Sequence, residues 1–259
     1  MVRRKKSLLM LGLLLAMLLT TLTTLWALSR HVPDFYRQAD VPAGGKRVDF
    51  AQMFIGKATD LINTFKEEGD GKSITLFADE INAFFEEDLW RQDAEELEKQ
   101  GISHPRVCFD SDRIRLAFRY KNFFMNSIIS LEMRIWLVPT EMNTFAVEIV
   151  KRRAGAMPFP TQALLEEIST MARRRKVEVD WYQHQGNPVA LIRVQPDSPR
   201  PPMKFVRIDS QPAANGKSGS LTLVIVPNEV AVPGQAQSRP TRSTLPAGID
   251  RKALIQQAQ

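Results

Sequence analysis

The stretch RIRLAFRYK, residues 113–121, decides the fold because apolar and basic side chains alternate along it. The apolar members are Ile114, Leu116, Phe118 and Tyr120. Successive side chains of a strand point to opposite faces, so this period of two predicts a half-buried antiparallel strand. Residues 127–138 and 144–150 repeat the alternation. The short connections between the three segments favour a meander.

Helical periods flank these strands. Residues 49–67 and the segment from Ala78 to Leu89 carry apolar side chains at helical spacing, and Thr161 begins another such run. Two short alternating pairs follow, at 177–182 with 189–194 and near 203–209 with 219–226. The order predicts an α+β fold, in which a twisted antiparallel sheet carries two or three packed helices.

The N-terminus has the pattern of a membrane signal anchor. Residues 7–29 lack any charge, and a helix of that length spans roughly 34 Å at about 1.5 Å per residue. Four basic residues precede this span, and Trp26 lies near its far end as an interfacial anchor would. The four are Arg3, Arg4, Lys5 and Lys6. We expect a single pass through the cytoplasmic (inner) membrane with the C-terminal part outside, in the periplasm of a diderm cell. The alternative is a cleaved signal peptide, although its apolar region is normally shorter.

The rest of the chain divides by composition. Residues 1–6 are a cytoplasmic basic N-terminus, and residues 30–48 are a polar linker that contains Pro and Gly. Residues 49–226 are the exported domain. Residues 227–259 lack aromatic side chains and are predicted to be a disordered tail.

Charge and motif content exclude several function classes. The formal net charge of +6 comes mostly from the N-terminal basic cluster, so no nucleic-acid partner is predicted. Cys108 is the one cysteine, and a buried, inert thiol is the expected state for it. With three scattered histidines and no nucleophile elbow or phosphate loop, the sequence predicts no catalytic residue, no cofactor and no metal site. The chain is therefore predicted not to be an enzyme.

A basic segment is the candidate contact for anionic lipid headgroups. Residues 79–98 are acidic, whereas residues 151–176 are basic. The candidate headgroup contacts are Lys151, Arg152, Arg153, Arg173, Arg174, Arg175 and Lys176. Each cation near an anionic surface contributes about 1 kcal/mol. The alternative is that the two segments are simply solvated faces that lie opposite each other.

Several motifs resemble bacterial membrane-anchored envelope proteins of the YpmS-like and LmeA-like type. Ile74-Thr75-Leu76 followed by Asp79-Glu80-Ile81-Asn82-Ala83-Phe84 resembles a strand that leads into a Glu-Ile-Asn-Ala helix. The segment 107–116, the basic-Gly-x-x-Pro-x-Pro segment 152–160 and the Leu-rich start at 163–165 follow in the order of that family. The resemblance covers roughly residues 72–195. It implies a curved sheet wrapped on helices that cradles an acyl chain, and it brings no catalytic residue.

Two functions remain open on the sequence. The first is a non-enzymatic structural or protein-interaction module whose partners are other envelope proteins. The alternative is a domain that binds a phospholipid or another apolar ligand on the outer face of the membrane. The candidate groove for that ligand is lined by Phe84, Phe85, Leu116, Phe118, Leu164 and Ile168. An apolar cavity of several hundred cubic ångströms would favour the ligand-binding function. A solid core with an exposed patch would favour the module.

Overall fold

The architecture is known from a computed structural model. It describes residues 2–65, 70–122, 126–174, 177–194 and 201–228. The side chains of residues 2–9, 90–93, 161, 163 and 167 are outside that description. The predicted tail lies outside the described residues from residue 229 onward.

Seven strands form the main sheet. They are β2 (Ile102–Phe109), β3 (Ile114–Lys121), β4 (Asn126–Leu137), β5 (Thr144–Ala154), β6 (Met157–Pro158), β7 (Val179–His184) and β8 (Asn187–Arg193). All pairs are antiparallel in the order β2-β3-β4-β5-β8-β7, and β6 pairs with the end of β5. The predicted meander is therefore the centre of the sheet, and the α+β class is confirmed.

A second sheet joins distant parts of the chain. Its strands are β1 (Lys72–Phe77), β9 (Met203–Gln211) and β10 (Ser220–Pro227), in the order β1-β10-β9. Its core combines Phe65, Ile74, Met203 and Ile225, all buried. The sheet pairs the strand that follows α3 with the last two strands of the described chain, so distant parts of the chain share one core.

The helices are, in chain order, α1 (Val2–Ser29), α2 (Asp34–Gln38), α3 (Gly45–Thr64), α4 (Ala78–Phe84), α5 (Trp90–Lys99) and α6 (Thr161–Arg174). A π-helical turn, Phe85–Leu89, connects α4 to α5. Helix α4 packs against α3 and β2, and Lys57 of α3 pairs with the buried Glu80 at 2.7 Å. Acidic side chains of this region are thus partnered by α3.

The stretch predicted as a linker packs against the body. Tyr36 of α2 is 5% exposed and lies in a cluster with Ala117 and Ile128. Its hydroxyl donates to the carbonyl of His104 at 2.9 Å, and Arg106 donates to the carbonyl of Tyr36 at 2.7 Å. Val41 is buried as well, beside Ala51 of α3. The stretch 30–48 therefore packs against the folded domain, and its helix α2 covers part of one face of the main sheet.

Helix α1 is long and apolar enough to cross a membrane. The apolar 18-residue window within the segment Met10–Gln38 has a mean hydropathy of 2.0 and is not buried within the protein. Its C-terminal end touches β4, and Trp26 is exposed. A signal sequence passes the same test of length and composition, so the helix is a candidate span by these criteria.

Candidate apolar ligand site

Helix α6 lies over the face of the main sheet that carries Leu116 and Phe118. The helix begins directly after Pro160, which cannot extend a strand ladder and is followed by good helix formers. Leu164 is 5% exposed and packs on Ile129, Leu131 and Ile149 of the sheet. Farther along the helix, Ser169 accepts a hydrogen bond from the indole Nε1 of Trp181 in β7 at 2.8 Å. These contacts hold α6 as a roof above the strands.

A cavity of about 510 Å³ lies between this roof and the sheet. The residues that line it come from α6, from six strands and, in the case of Phe159, from the segment just before α6. They are Ile102, Leu116, Phe118, Tyr120, Ile129, Leu131, Met133, Val147, Ile149, Phe159, Leu164, Glu166, Ile168, Met171, Trp181, Ala190 and Ile192. Protein interiors are normally close-packed with few voids larger than a water molecule, so a space of this size is not ordinary core.

The cavity offers water few partners. Glu166 is the one charged residue among its described lining residues, and its Oε1 accepts a hydrogen bond from Gln162 at 3.1 Å. The Trp181 Nε1–H is already bonded to Ser169. Water in a cavity needs two to four polar partners, and apolar cavities stay dry or take apolar ligands. The chemistry of the lining therefore fits a hydrocarbon group.

Four of the six predicted groove residues line the cavity. Leu116, Phe118, Leu164 and Ile168 are brought together there. Phe84 and Phe85 are elsewhere. The Phe84 ring lies 4.8 Å from that of Phe54 in the α3–α4 core, and Phe85 packs with Val107 and Phe109. An apolar helix face shows that a side chain is buried, but not which partner buries it, and α4 is buried against α3 and β2 rather than under α6.

Sequence reasoning missed the part of the lining that comes from β7 and β8. Trp181, Ala190 and Ile192 reach the cavity because β8 pairs with β5, with Val147 opposite Ala190. The two paired strands are separated in the sequence by α6. The apolar face of the β7–β8 hairpin indicates that the hairpin is buried. The local sequence pattern does not indicate that β8 pairs with β5.

The residues of the predicted basic patch have different partners and lie in different parts of the fold. Lys151 pairs with Glu132 at 3.2 Å, and Arg174 pairs with Glu96 of α5 at 3.6 Å. Arg173 is exposed and contacts Thr170 of its own helix, and Arg153 is exposed on β5. Arg175 and Lys176 lie outside the described residues, as do the side chains of Arg3, Arg4, Lys5 and Lys6. Among the described side chains, one ion pair, Arg174–Glu96, joins the predicted acidic and basic segments.

Arg152 differs from its neighbours. It stands opposite Leu131 in the β4–β5 register, so it lies on the cavity face of the sheet, whereas Arg153 points to the other face. Its Nε is buried and has no hydrogen-bond partner among the described residues. A buried donor without a partner costs about 1–3 kcal/mol, so this Nε–H is available to donate to the oxygen of an anionic or carbonyl group.

The end of α1 is bonded directly to the sheet. Ala156 donates its amide N–H to the carbonyl of Leu28 at 2.8 Å, and the Ser127 hydroxyl donates to the carbonyl of Ser29 at 2.5 Å. Gly155 has a φ of +60°, and a Cβ there would clash with the backbone of Leu28 and Ser29. The body thus begins at the last turn of the apolar helix, without a free spacer.

A smaller pocket of about 160 Å³ lies at this junction. It is lined by Arg30, Val32, Arg119, Asn126, Ser127 and Ile128. The Arg30 guanidinium also stacks over the Trp26 ring, 4.3 Å from its centroid. Neither arginine has an acidic partner within the described part of the chain.

The remaining titratable groups have structural surroundings. Burial raises the pKa of the Cys108 thiol, which outweighs the opposing effect of Arg115 beside it. Burial likewise raises the pKa of the Tyr36 hydroxyl. Within the described ranges, no group of three or more His, Cys, Asp or Glu side chains is arranged to hold a metal ion.

Comparison of the chain with protein-family models, with curated proteins and with solved structures finds no match. The resemblance to the YpmS-like and LmeA-like proteins stays a prediction.

Proposed function

We propose that this chain is a single-pass membrane protein whose domain binds the acyl chain of a lipid between α6 and the main sheet. The cavity of about 510 Å³ carries this proposal. Ligand sites typically measure about 300–1,000 Å³ and are lined mostly by apolar and aromatic side chains with a few polar groups. The cavity meets both conditions.

The position of the cavity relative to α1 supports a membrane lipid as the ligand. Ile129, which lines the cavity, pairs with Ala154 in the β4–β5 register. The next residues, Gly155 and Ala156, contact the last turn of α1. If α1 spans the bilayer, this end of the cavity lies beside the membrane surface. An acyl chain would then leave the bilayer and enter the cavity over a short path.

The polar groups near the cavity indicate an amphiphile rather than a plain hydrocarbon. Glu166 is on the lining, and Arg152 is on the same face of the sheet with a buried, unpartnered Nε. A hydrocarbon alone would leave this donor without a partner, whereas a lipid ester or phosphate would satisfy it. The ligand would thus place its chain in the cavity and its polar end toward Arg152.

Ligand binding is preferred to a structural or protein-interaction module because a module has no need of a cavity. The apolar side chains around the cavity lack contacts that a close-packed core would supply, and a ligand that fills the space would restore them. The orientation with the domain outside the cytoplasm rests on the basic residues before α1.

The test is photo-crosslinking of the full chain in lipid nanodiscs. The probe is a phosphatidylcholine with a diazirine in its acyl chain, and cross-linked tryptic peptides are identified by mass spectrometry. The peptide 154–173 contains five lining residues, and cross-links to it are expected. Cross-links to α1 report that the chain is in the bilayer.

Matched variants make the result specific. Ile168→Trp fills the cavity and should abolish cross-links to 154–173 while those to α1 persist. Gln162→Trp adds the same ring on an exposed position of α6 and should leave them unchanged. Cross-links confined to α1 in the unaltered chain would refute acyl binding. Their absence from α1 as well would refute the membrane span.

A further inference from the structure

We infer that the small pocket at the junction is a second lipid site, which holds the phosphate of an anionic phospholipid headgroup between Arg30 and Arg119. This inference goes beyond acyl binding in the large cavity, because it concerns the opposite face of the sheet and a different part of the lipid. The two arginines, together with Asn126 and Ser127, line one space of about 160 Å³.

Arg30 and Arg119 line the same pocket. Arg30 follows α1, and Arg119 lies on β3 opposite Ile128 of β4. No ion pair is formed by either one among the described residues. Like charges in one pocket repel, and the cost is lowest when an anion lies between them. Guanidinium groups bind phosphate oxygens with paired, charge-assisted hydrogen bonds, so phosphate is the chemistry that this pair fits.

The size and the polarity of the pocket agree with this ligand. A water molecule occupies about 30 Å³ in the liquid, so the pocket has room for a group of several heavy atoms. Asn126 and Ser127 add polar side chains to one wall, whereas Val32 and Ile128 form an apolar one. The Ser127 hydroxyl donates to Ser29, which leaves its oxygen lone pairs toward other donors. The arginines are then the donors available to an anion.

The depth of the pocket identifies a lipid as the source of the phosphate. Arg30 is the first charged residue after the apolar run, and it stacks on Trp26 one turn earlier. Tryptophan side chains concentrate at the headgroup level of membranes. The bonds from Ala156 and Ser127 to the last turn of α1 place β3 and β4 at the same level. Arg119 therefore meets headgroups when α1 spans the bilayer.

The experiment measures lipid binding to the detergent-solubilised full chain by native mass spectrometry. Dioleoylphosphatidylglycerol is the probe, and dioleoylphosphatidylcholine and glycerol 1-phosphate are compared with it. We expect one phosphatidylglycerol, in addition to any lipid in the large cavity, to bind with clear preference over phosphatidylcholine. The double variant Arg30→Gln/Arg119→Gln should weaken its binding about 30-fold, from about 1 kcal/mol per cation. Each single variant should weaken it about fivefold.

The controls separate a site from general charge. Arg207→Gln removes one positive charge from β9, where Arg207 pairs with Asp209 at 2.8 Å, and it should leave binding unchanged. Equal loss in Arg207→Gln and Arg119→Gln would refute a defined pocket. Displacement of the lipid by millimolar glycerol 1-phosphate would show a free-phosphate site and refute the lipid source. Ile168→Trp should leave phosphatidylglycerol bound, so this site and the cavity are tested separately.

Discussion

At the residue scale, two buried asparagine side chains form the backbone hydrogen bonds that a neighbouring strand would otherwise form. The Asn82 side chain bonds both the N–H and the carbonyl of Val107, at 2.7 and 2.9 Å. Asn143 does the same for Phe205 and Met203, at 2.9 and 3.0 Å. Val107 lies on β2 and Met203 on β9, each an edge strand of its sheet. A carboxamide offers one donor and one acceptor, so it satisfies an edge where no strand is available.

Asn82→Ala should destabilise the protein by about 2–4 kcal/mol, because two buried backbone groups of Val107 would lose their partners. Urea unfolding of the full chain in detergent, followed by circular dichroism, measures the change. Gln211→Ala, at an exposed position at the end of β9, is the control and should be nearly neutral. Equal midpoints for the two variants would contradict this role of Asn82.

Cys108 should be slow to alkylate in the folded protein. Burial raises the pKa of its thiol, so at pH 8 the folded chain holds less thiolate than an unfolded one. We expect iodoacetamide to react on the order of tenfold more slowly than in urea, with the gap narrowing as pH rises through the raised pKa. Intact-mass spectrometry reports on Cys108 alone, since the chain has one cysteine. Equal rates in the folded and unfolded chain at pH 8 would be inconsistent with this.

At the scale of elements, α6 is the part of the fold that encloses the cavity. It is attached by Leu164 near its start, by Ser169 in its middle and by Arg174 at its end. Between these attachments the helix stands off the strands, which is why a cavity exists. An element held by few contacts opens locally at lower free energy than the rest of the protein.

Ser169→Ala should loosen α6, because Trp181 Nε1 would lose its acceptor at a cost of about 0.5–1.5 kcal/mol. Hydrogen exchange of the α6 amides should quicken about 2- to 10-fold, with β3 and β4 unchanged. Thr170→Ala is the matched control, since that hydroxyl bonds the carbonyl of Glu166 and Arg173, both within the same helix. Unaltered exchange in Ser169→Ala would mean that this hydrogen bond does not hold the roof.

At the scale of the whole molecule, local pattern predicted elements better than it predicted their partners. Alternation in residues 113–121, 127–138 and 144–150 identified β3 to β5, and helical spacing identified α3, α4 and α6, because side-chain period depends on local geometry. The helix α2 was not predicted, because it lies within the stretch interpreted as a linker. The second sheet joins Thr75 to Thr222, a pairing across most of the chain that no short window contains. Phe84 and Phe85 were assigned to the wrong core for the same reason. The pair Arg30 and Arg119 was not predicted, because only the bonded junction brings them together.

The junction itself can be tested by a glycine pair. Gly155→Ala should separate α1 from the sheet, because a Cβ there meets the backbone of Leu28 and Ser29. Exchange of the Ala156 amide, which donates to Leu28, should then quicken by at least tenfold. Gly186→Ala imposes similar strain at a φ of +82° in open space and serves as the control. Slow exchange retained in Gly155→Ala would show that the junction tolerates displacement.

The hydrogen bonds from Ala156 and Ser127 to the last carbonyls of α1 also have a mechanical consequence. Because α1 is hydrogen-bonded to the sheet, a change in the tilt of α1 would turn the domain as well. Membranes that differ in thickness by a few ångströms impose different tilts on the same span. The domain would swing with that tilt, and the height of its cavity above the lipid surface would follow. The thickness of the bilayer would then determine how easily a lipid reaches the cavity.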